Sequence, residues 1–243
     1  MRPMHDLNAS PPGHAAVFGA SGGIGGALVA ELAGKGWQVA AGSRSGALVE
    51  GAACTFAFDL EDEGSIAAAA EELDPAVSLI VVATGALVLP GGRGPERSLR
   101  QLDAEALAAA FRINTIGPAL IAKHVLTRLP RNRRSVFAAL GARVGAIGDN
   151  RLGGWHSYRA SKAALAMLIR NFAIELARTH PQAIVAGLHP GTVATPLSAP
   201  FVKASADVFA PERAARQLVQ VLEALTPAQS GRVIDWRGET VPE

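Results

Sequence analysis

The chain has 243 residues, of which 49% are hydrophobic and 18% charged, with 26 glycines and a formal net charge of +2. This length suits one α/β domain with a sizeable core, and the composition excludes a disordered chain. So small a charge gives no reason to expect a nucleic-acid partner, and we interpret the basic run at 131–134 as a solvated loop. The single cysteine, Cys54, excludes an internal disulfide framework and is typical of a reducing compartment.

Residues 1–13 contain no apolar core, so they are predicted to form a poorly ordered N-terminal tail rather than a signal peptide. No apolar segment is long and uninterrupted enough to be a convincing membrane span. We therefore expect a cytoplasmic protein with no membrane or nucleic-acid partner, whose one domain covers 14–243.

The first part of the chain alternates short apolar runs with helix-forming segments. In chain order we predict a strand at 15–18, a glycine turn at 19–26, a helix at 27–33, strands at 37–41 and 54–58, a helix at 61–73 and a strand at 77–83. The last strand is a continuous apolar run, which is the pattern of a strand buried on both faces.

A loop rich in glycine and proline follows at 86–100. The rest of the chain predicts a long helix at 103–129 with Asp103 as its N-cap, a strand at 135–140, a helix at 157–179, a strand at 183–188, an irregular stretch at 195–210, a helix from Pro211 and a strand at 232–236. Strands that alternate with helices predict an α/β fold, a single Rossmann-type, doubly wound parallel sheet flanked by helices on both faces. Sites in such folds lie at the carboxyl ends of the strands.

The turn after the first strand has the spacing Gly19-x-x-x-Gly23-x-Gly25 between a strand and a helix. Glycines there let the backbone approach a pyrophosphate, which the helix N-terminus then stabilises. The cofactor contacts predicted in this turn are Gly19, Ser21, Gly22, Gly23, Ile24 and Gly25. Alternatively, the glycines serve only the close packing of helix on sheet.

The end of the second strand indicates which nicotinamide cofactor is bound. An acidic residue there would bind the ribose 2′-hydroxyl of NAD, whereas an arginine accommodates the 2′-phosphate of NADP. The chain has Ser43-Arg44 and no nearby acid, which favours NADP over NAD unless Arg44 only solvates a loop. After the third strand, Asp59-Leu60 either contacts the adenine, or Asp59 is the N-cap of the next helix.

Tyr158 is the only tyrosine of the chain, and Lys162 follows it by four residues in a segment predicted to be helical. Residues four apart lie on the same face of a helix. A lysine ammonium near a phenol favours the phenolate, so we expect a lowered pKa for Tyr158 and proton exchange near neutral pH. The alternative is an ordinary pair of side chains on a solvated helix face.

In this order, the glycine turn, Asn114, Tyr158-x-x-x-Lys162 and Pro190-Gly191-Thr192-Val193-x-Thr195 resemble the short-chain dehydrogenase/reductase family over roughly 14–238. The resemblance implies NAD(P)-dependent hydride exchange between a carbonyl and an alcohol. Three further stretches resemble the C-factor-like and sniffer-type carbonyl reductase subgroup: 95–99, 143–150 and 153–158.

The resemblance also implies a role for each matching residue. Tyr158 would protonate the developing alkoxide, and Lys162 would lower the pKa of the tyrosine and bind the nicotinamide ribose. Asn114 would hold a water of the proton relay, although without the family it is an ordinary helix asparagine. The other implied cofactor contacts are Ala83, Gly85, Pro190, Gly191, Val193 and Thr195.

Two positions depart from the family pattern. After the fourth strand the chain reads Val82-Ala83-Thr84-Gly85 where the family is asparagine-rich, although Gly85 keeps the close backbone approach. After the fifth strand, Gly141-Ala142 stands where the family has its catalytic serine, whose hydroxyl binds the substrate carbonyl. Loss of one such donor costs roughly 10²–10³-fold in rate. A water, Ser161 or a hydroxyl of the substrate would have to replace it.

Two functions therefore remain open. The first is an NADP-dependent oxidoreductase acting on a carbonyl or alcohol; the second is a non-catalytic or weakly active NAD(P)-binding protein with a signalling or regulatory role. No clustered histidine, cysteine and acidic spacing indicates a metal site. Apolar residues near the end of the chain would cover a hydrophobic ligand or pack against another subunit of a homo-dimer or homo-tetramer: Leu197, Phe201, Val202, Val208 and Phe209.

Overall fold

A computed structural model of the chain describes residues 13–89, 91–196, 201 and 208–242. Its strands are β1 (His14–Phe18), β2 (Gln38–Ser43), β3 (Cys54–Ala57), β4 (Val77–Val82), β5 (Ser135–Leu140), β6 (Ala183–His189), β7 (Thr192–Val193), β8 (Val208–Phe209) and β9 (Val233–Asp235). Its α-helices are α1 (Gly23–Gly34), α2 (Glu63–Glu72), α3 (Ala104–Phe111), α4 (Gly117–Val125), α5 (His156–Leu176) and α6 (Pro211–Ala224).

Seven of the strands form one parallel sheet in the order β3-β2-β1-β4-β5-β6-β9. Side chains alternate between the two faces of a strand. In β5, Phe137 packs in an apolar layer with α2, α4 and α5, whereas Val136 packs in the opposite layer with α1 and α6. Helices therefore cover both faces, which confirms the predicted doubly wound sheet. The strand order reverses between β1 and β4, where a crevice opens at the carboxyl edge.

Several boundaries differ from the prediction because hydrogen bonds, rather than residue type, decide them. Helix α1 begins at Gly23, inside the predicted glycine turn, and α5 ends at Leu176. Helix α2 is capped by Asp62, whose carboxylate accepts from the Gly64 amide at 2.9 Å. The alternative that Asp59 is this N-cap is therefore wrong, because its carboxylate accepts from the Glu61 amide in the preceding turn.

The long helix predicted at 103–129 is not one α-helix. Asp103 caps it as expected, accepting from the Ala106 amide at 2.8 Å. After α3, however, the chain makes a π-helical turn at Arg112–Ile116 before α4 begins. Such turns are frequent at functional sites. The apolar period of the sequence does not reveal this turn, because it is held by a contact with α5: the Thr115 hydroxyl donates to the Ser161 carbonyl at 2.7 Å.

Within the stretch predicted to be irregular at 195–210, the described residues include a short strand, since β8 pairs in parallel with β7. Two of the apolar residues expected to cover a ligand, Leu197 and Val202, lie outside the described residues, as do 1–12 of the predicted tail. The assignment of 14–243 to one domain stays a prediction.

Gly25 is the position in the glycine turn where a side chain cannot be accommodated, because a Cβ would lie 2.1 Å from the Gly19 carbonyl oxygen. The obstructing atom is backbone, so we expect Gly25→Ala to lower the free energy of unfolding by about 3 kcal/mol or more. Urea unfolding followed by circular dichroism measures this loss. Gly34→Ala in the same helix is the control, since a Cβ there meets nothing within 4 Å. An equal loss in both variants would contradict the steric explanation.

Candidate active site

A cleft of about 470 Å³ lies at the carboxyl edge of the sheet, walled mainly by the residues that follow β1, β4, β5 and β6. This is where an open parallel sheet binds its ligands. Most of the predicted site residues line it: Ser21, Gly22, Gly23, Ile24, Ala83, Gly85, Tyr158, Lys162, Pro190, Gly191, Val193 and Thr195. The structure thus brings together segments that lie far apart in the sequence.

The glycine turn presents the N-terminus of α1 to this cleft. No side chain caps that end of the helix, and its first turn contains no acidic residue. The partial positive charge of a helix N-terminus is therefore available to an anion. Gly19 and Gly25 lie behind the wall of the cleft and shape the turn: Gly19 has φ +90°, and a Cβ on it would lie 3.0 Å from the Ala83 backbone.

The residues predicted to choose between NAD and NADP lie beyond this cleft at the end of β2, and the pair predicted to contact the adenine follows β3. Arg44 is exposed, and among the described residues no carboxylate pairs with it. The neighbouring Ser43 is buried, and its hydroxyl has no hydrogen-bond partner among the described residues. The side chain of Leu60 packs on the core, where a Cβ on Gly117 would meet it at 2.6 Å.

Tyr158 and Lys162 are not a pair on a solvated helix face. Lys162 is 4% exposed, and its Nζ donates to the Leu140 carbonyl at 2.7 Å and lies 5.9 Å from the centre of the Tyr158 ring. Burial raises the pKa of Tyr158 to about 12 and lowers the pKa of Lys162 to about 8. The prediction of a lowered tyrosine pKa is therefore wrong for this structure: removal from water favours the neutral phenol more than the lysine favours the phenolate.

Asn114 lies behind the cleft in the π-helical turn and is fully buried. Its Oδ1 accepts from the Ala86 amide, and its Nδ2 donates to the Ala86 carbonyl, both at 2.9 Å. A Cβ on Gly85 would lie 3.2 Å from Asn114 Oδ1 and 3.4 Å from Lys162 Nζ. Gly85 thus allows the asparagine and the lysine to approach the same short segment. The role of Asn114 in a proton relay stays a prediction.

The turn after β5 contributes Gly141 and Ala142 to the cleft, and neither carries a hydroxyl. The serines that neighbour the tyrosine are bound elsewhere. Ser161 is fully buried, and its hydroxyl donates to the Tyr158 carbonyl at 2.9 Å and accepts from Asn114 at 3.2 Å. The Ser157 hydroxyl donates to the carboxylate of Glu96. The expectation that Ser161 could replace the missing serine is therefore wrong.

Two residues that were not singled out as site residues, Glu96 and Trp155, determine how α5 begins. Glu96 is buried and accepts from the Ser157 amide at 3.2 Å, and its carbonyl accepts from the Trp155 amide. Burial by itself would raise the pKa of Glu96, but the hydrogen bonds from Ser157 hold it below its usual value. Nothing in a proline- and glycine-rich loop indicates a cap for a helix sixty residues further on.

Trp155 extends the aromatic wall of the cleft. It has φ +52°, and no other described residue except glycine has a positive φ. Its ring packs edge-to-face against Tyr158 and Phe201, with centroid distances of 6.2 and 5.7 Å. Trp155, Tyr158 and Phe201 therefore form an aromatic wall along one part of the cleft.

A doubly wound parallel sheet, a glycine-rich turn at its crevice and a tyrosine–lysine pair in the same cleft define the class of dinucleotide-binding oxidoreductases. The family model of the short chain dehydrogenases matches residues 13–206. The chain belongs to this family, as the sequence motifs predict. Among the described residues, no helix is long and apolar enough to cross a membrane, and no cluster of histidine, cysteine and acidic side chains could hold a metal ion.

The predicted resemblance to the C-factor-like and sniffer-type subgroup is confirmed by one relative, and two solved structures share the fold. The C-signal protein of Myxococcus xanthus is 34% identical over 146 residues, which cover 60% of this chain and 83% of that protein. The carbonyl reductase Sniffer of D. melanogaster has a TM-score of 0.76 at 18% identity, over 95% of this chain and 99% of that one. An NADP-bound short-chain dehydrogenase/reductase of Burkholderia multivorans has a TM-score of 0.80 at 24% identity, over 96% and 100%. At these identities the two structures show the shared fold alone.

Proposed function

We propose that this protein is an NADP-dependent oxidoreductase that exchanges a hydride between nicotinamide and a carbonyl or alcohol substrate. The observation that carries the proposal is the position of Tyr158 and Lys162 in the same cleft as the uncapped N-terminus of α1. A proton donor and a hydride-donating cofactor must both reach one carbonyl group, and a shared cleft meets this requirement.

The residues around the crevice fit a dinucleotide. Besides the uncapped helix, the buried hydroxyls of Ser43 and Thr84 lack partners among the described residues. Buried polar groups without partners are costly, and phosphate or ribose oxygens would satisfy them. Residues 21–24 would hold the pyrophosphate, while Lys162 and the loop 190–195 would hold the nicotinamide half. The bound cofactor supplies the hydride.

Tyr158 and Lys162 have separate tasks in the reduction of a carbonyl. With a pKa near 12, Tyr158 is protonated at neutral pH and donates its proton to the carbonyl oxygen. Lys162, held by the Leu140 carbonyl, keeps a positive charge near the ring and so favours the phenolate that remains after proton transfer. The apolar wall at Trp155 excludes water from this exchange.

Arg44 supports the choice of NADP over NAD, because an exposed guanidinium without a carboxylate partner suits a 2′-phosphate. We expect Arg44→Asp to weaken NADPH binding by about 10–100-fold, the worth of one hydrogen-bonded charge, and to leave NADH binding the same or stronger. Fluorescence titration of both nucleotides measures this. Arg131→Asp is the control, since it makes the same charge change before β5, at the amino edge of the sheet. Equal weakening of NADPH and NADH would contradict the assignment.

The experiment that tests the proposal has two parts. NADPH should raise the melting temperature more than NADH does, and NADPH should be oxidised in the presence of some members of a panel of aldehydes, ketones and quinones. A melting temperature that neither nucleotide changes would exclude cofactor binding altogether.

A second function is favoured by one observation, the absence of a hydroxyl at Gly141 and Ala142. A protein of this kind would bind NAD(P) and signal or regulate through its cofactor state, with little or no turnover. Tight NADPH binding together with no turnover on the whole panel would favour it. Assembly into a homo-dimer or homo-tetramer stays a prediction in either case.

A further inference from the structure

His189 ends β6 beside the turn from which the serine is absent. Strands β5 and β6 pair in parallel with Leu140 opposite Leu188. The next residues of the two strands, Gly141 and His189, are therefore neighbours at a strand spacing of about 4.8 Å. Both line the cleft that contains Tyr158. The His189 side chain thus starts next to the backbone that carries the serine hydroxyl in the family.

The side chain of His189 leaves β6 on the face of the sheet that α5 covers. Val185 packs in the same apolar layer as Ile169 of α5, whereas Leu188 packs in the opposite layer with α1 and α6. Because side chains alternate along a strand, His189 points to the same side as Val185. This is the side from which Tyr158 reaches the cleft.

The imidazole has hydrogen-bonding capacity that the described residues do not use. Its Nδ1 is buried and has no partner among the described residues, although buried polar atoms ordinarily have one. Burial lowers the pKa of His189 to about 4; Asp235 opposes this effect, and Arg143 and Arg237 add to it. The ring is therefore neutral at pH 7, with one N–H donor and one acceptor. A neutral imidazole can polarise a carbonyl and leave proton transfer to another group.

Arg143, in the turn after β5, is another hydrogen-bond donor in the wall of the cleft. Its Nε donates to the Asp149 carboxylate at 2.7 Å, and its side chain is 44% exposed. A guanidinium that is ion-paired and solvated is less suited to stabilise charge in the cleft than a largely buried imidazole whose Nδ1 has no partner among the described residues.

We propose that His189 replaces the missing serine by donating an imidazole N–H hydrogen bond to the carbonyl oxygen of the substrate. The inference rests on the proposed reductase function. No bond of His189 is made or broken: the carbonyl carbon receives the hydride, and the carbonyl oxygen receives the proton of Tyr158. The imidazole stabilises the negative charge that develops on this oxygen.

A double-mutant cycle with Ala142→Ser tests the proposal. His189→Leu removes both ring nitrogens at similar volume, and we expect kcat to fall by about 10²-fold or more with a smaller change in KM. When combined with His189→Leu, Ala142→Ser should restore kcat at least tenfold. His189→Gln, which keeps an N–H donor, should retain more activity than His189→Leu.

Different outcomes separate the two proposals. A wild-type protein that reduces no member of the panel overturns the reductase function, and with it this role of His189. A wild-type protein that turns over while His189→Leu keeps full kcat overturns the role of His189 alone. A third outcome also overturns the role of His189. If Ala142→Ser does not restore the kcat lost in His189→Leu, and NADPH raises the melting temperature of that variant less than that of the wild type, His189 has a packing role instead.

Histidine ¹⁵N NMR of the wild-type protein gives a readout that does not depend on activity. The signal of His189, assigned by its loss in His189→Gln, should show a neutral ring from pH 8 down to about pH 5. A ring that becomes protonated near its ordinary pKa of about 6.5 would contradict the neutral donor.

Discussion

Tyr158→Phe is expected to reduce turnover of every carbonyl substrate by about 10²–10⁴-fold, because it removes the proton donor and little else. The ring keeps its edge-to-face contact with Trp155, so the fold and the aromatic wall should be preserved. NADPH oxidation against the panel of carbonyl compounds measures the effect.

The matched control for Tyr158→Phe is NADPH binding, since the variant should show the wild-type increase in melting temperature. A variant that reduces carbonyls at the wild-type rate would exclude Tyr158 as the donor. A variant that loses both turnover and NADPH binding would show that the phenol serves the cofactor or the fold.

Lys162→Met has the second largest expected effect, a fall in turnover of about 10²–10³-fold, because it removes a buried positive charge that favours the phenolate. Burial lowers the pKa of Lys162 from 10.5 to about 8, so the ammonium is present at neutral pH and is lost above about pH 8. The turnover of carbonyl reduction by the wild-type protein should therefore not change with pH near neutrality and should decline above pH 8. The variant should lack this decline; the same decline in both proteins would assign it to another group.

The lowered pKa of Lys162 also makes the free energy of unfolding depend on pH. Between pH 8 and 10.5 the unfolded chain binds more protons at Lys162 than the folded chain does. The free energy of unfolding should therefore rise with pH across this interval, and Lys162→Met should remove that rise. Above about pH 10 the raised pKa of Tyr158 acts in the opposite direction, since the folded protein then holds the extra proton. Urea unfolding at a series of pH values distinguishes the two groups.

The sequence predicts the sheet well because the apolar runs of buried strands are local signals. The run at 77–83 is apolar except for Ser78 and forms the central strand β4, with neighbours on both sides. Glycine spacing is equally local: a Cβ on Gly25 would clash with the backbone only six residues away. For the same reason the pair Tyr158 and Lys162 could be recognised, since one helix holds both residues.

Features made by contacts between distant segments could not be predicted in this way. The π-helical turn at Asn114 depends on a bond to α5, and Glu96 caps a helix sixty residues away. The direction of the Tyr158 pKa shift was predicted wrongly. The spacing of the two residues along a helix shows that a lysine lies near the tyrosine, but it does not show that the tyrosine is removed from water.

By itself, the sequence determined the fold, the family and the order of the site segments, since these depend on periodicity and on short motifs. Only the tertiary structure decided what surrounds the reacting groups. It buried the lysine, removed much of the tyrosine from water, bound Ser161 away from the cleft, and placed beside Gly141 a His189 whose Nδ1 has no partner among the described residues. Burial and the neighbours of a residue across a sheet depend on strand order and register. These arise when the chain folds, and local patterns in the sequence do not show them.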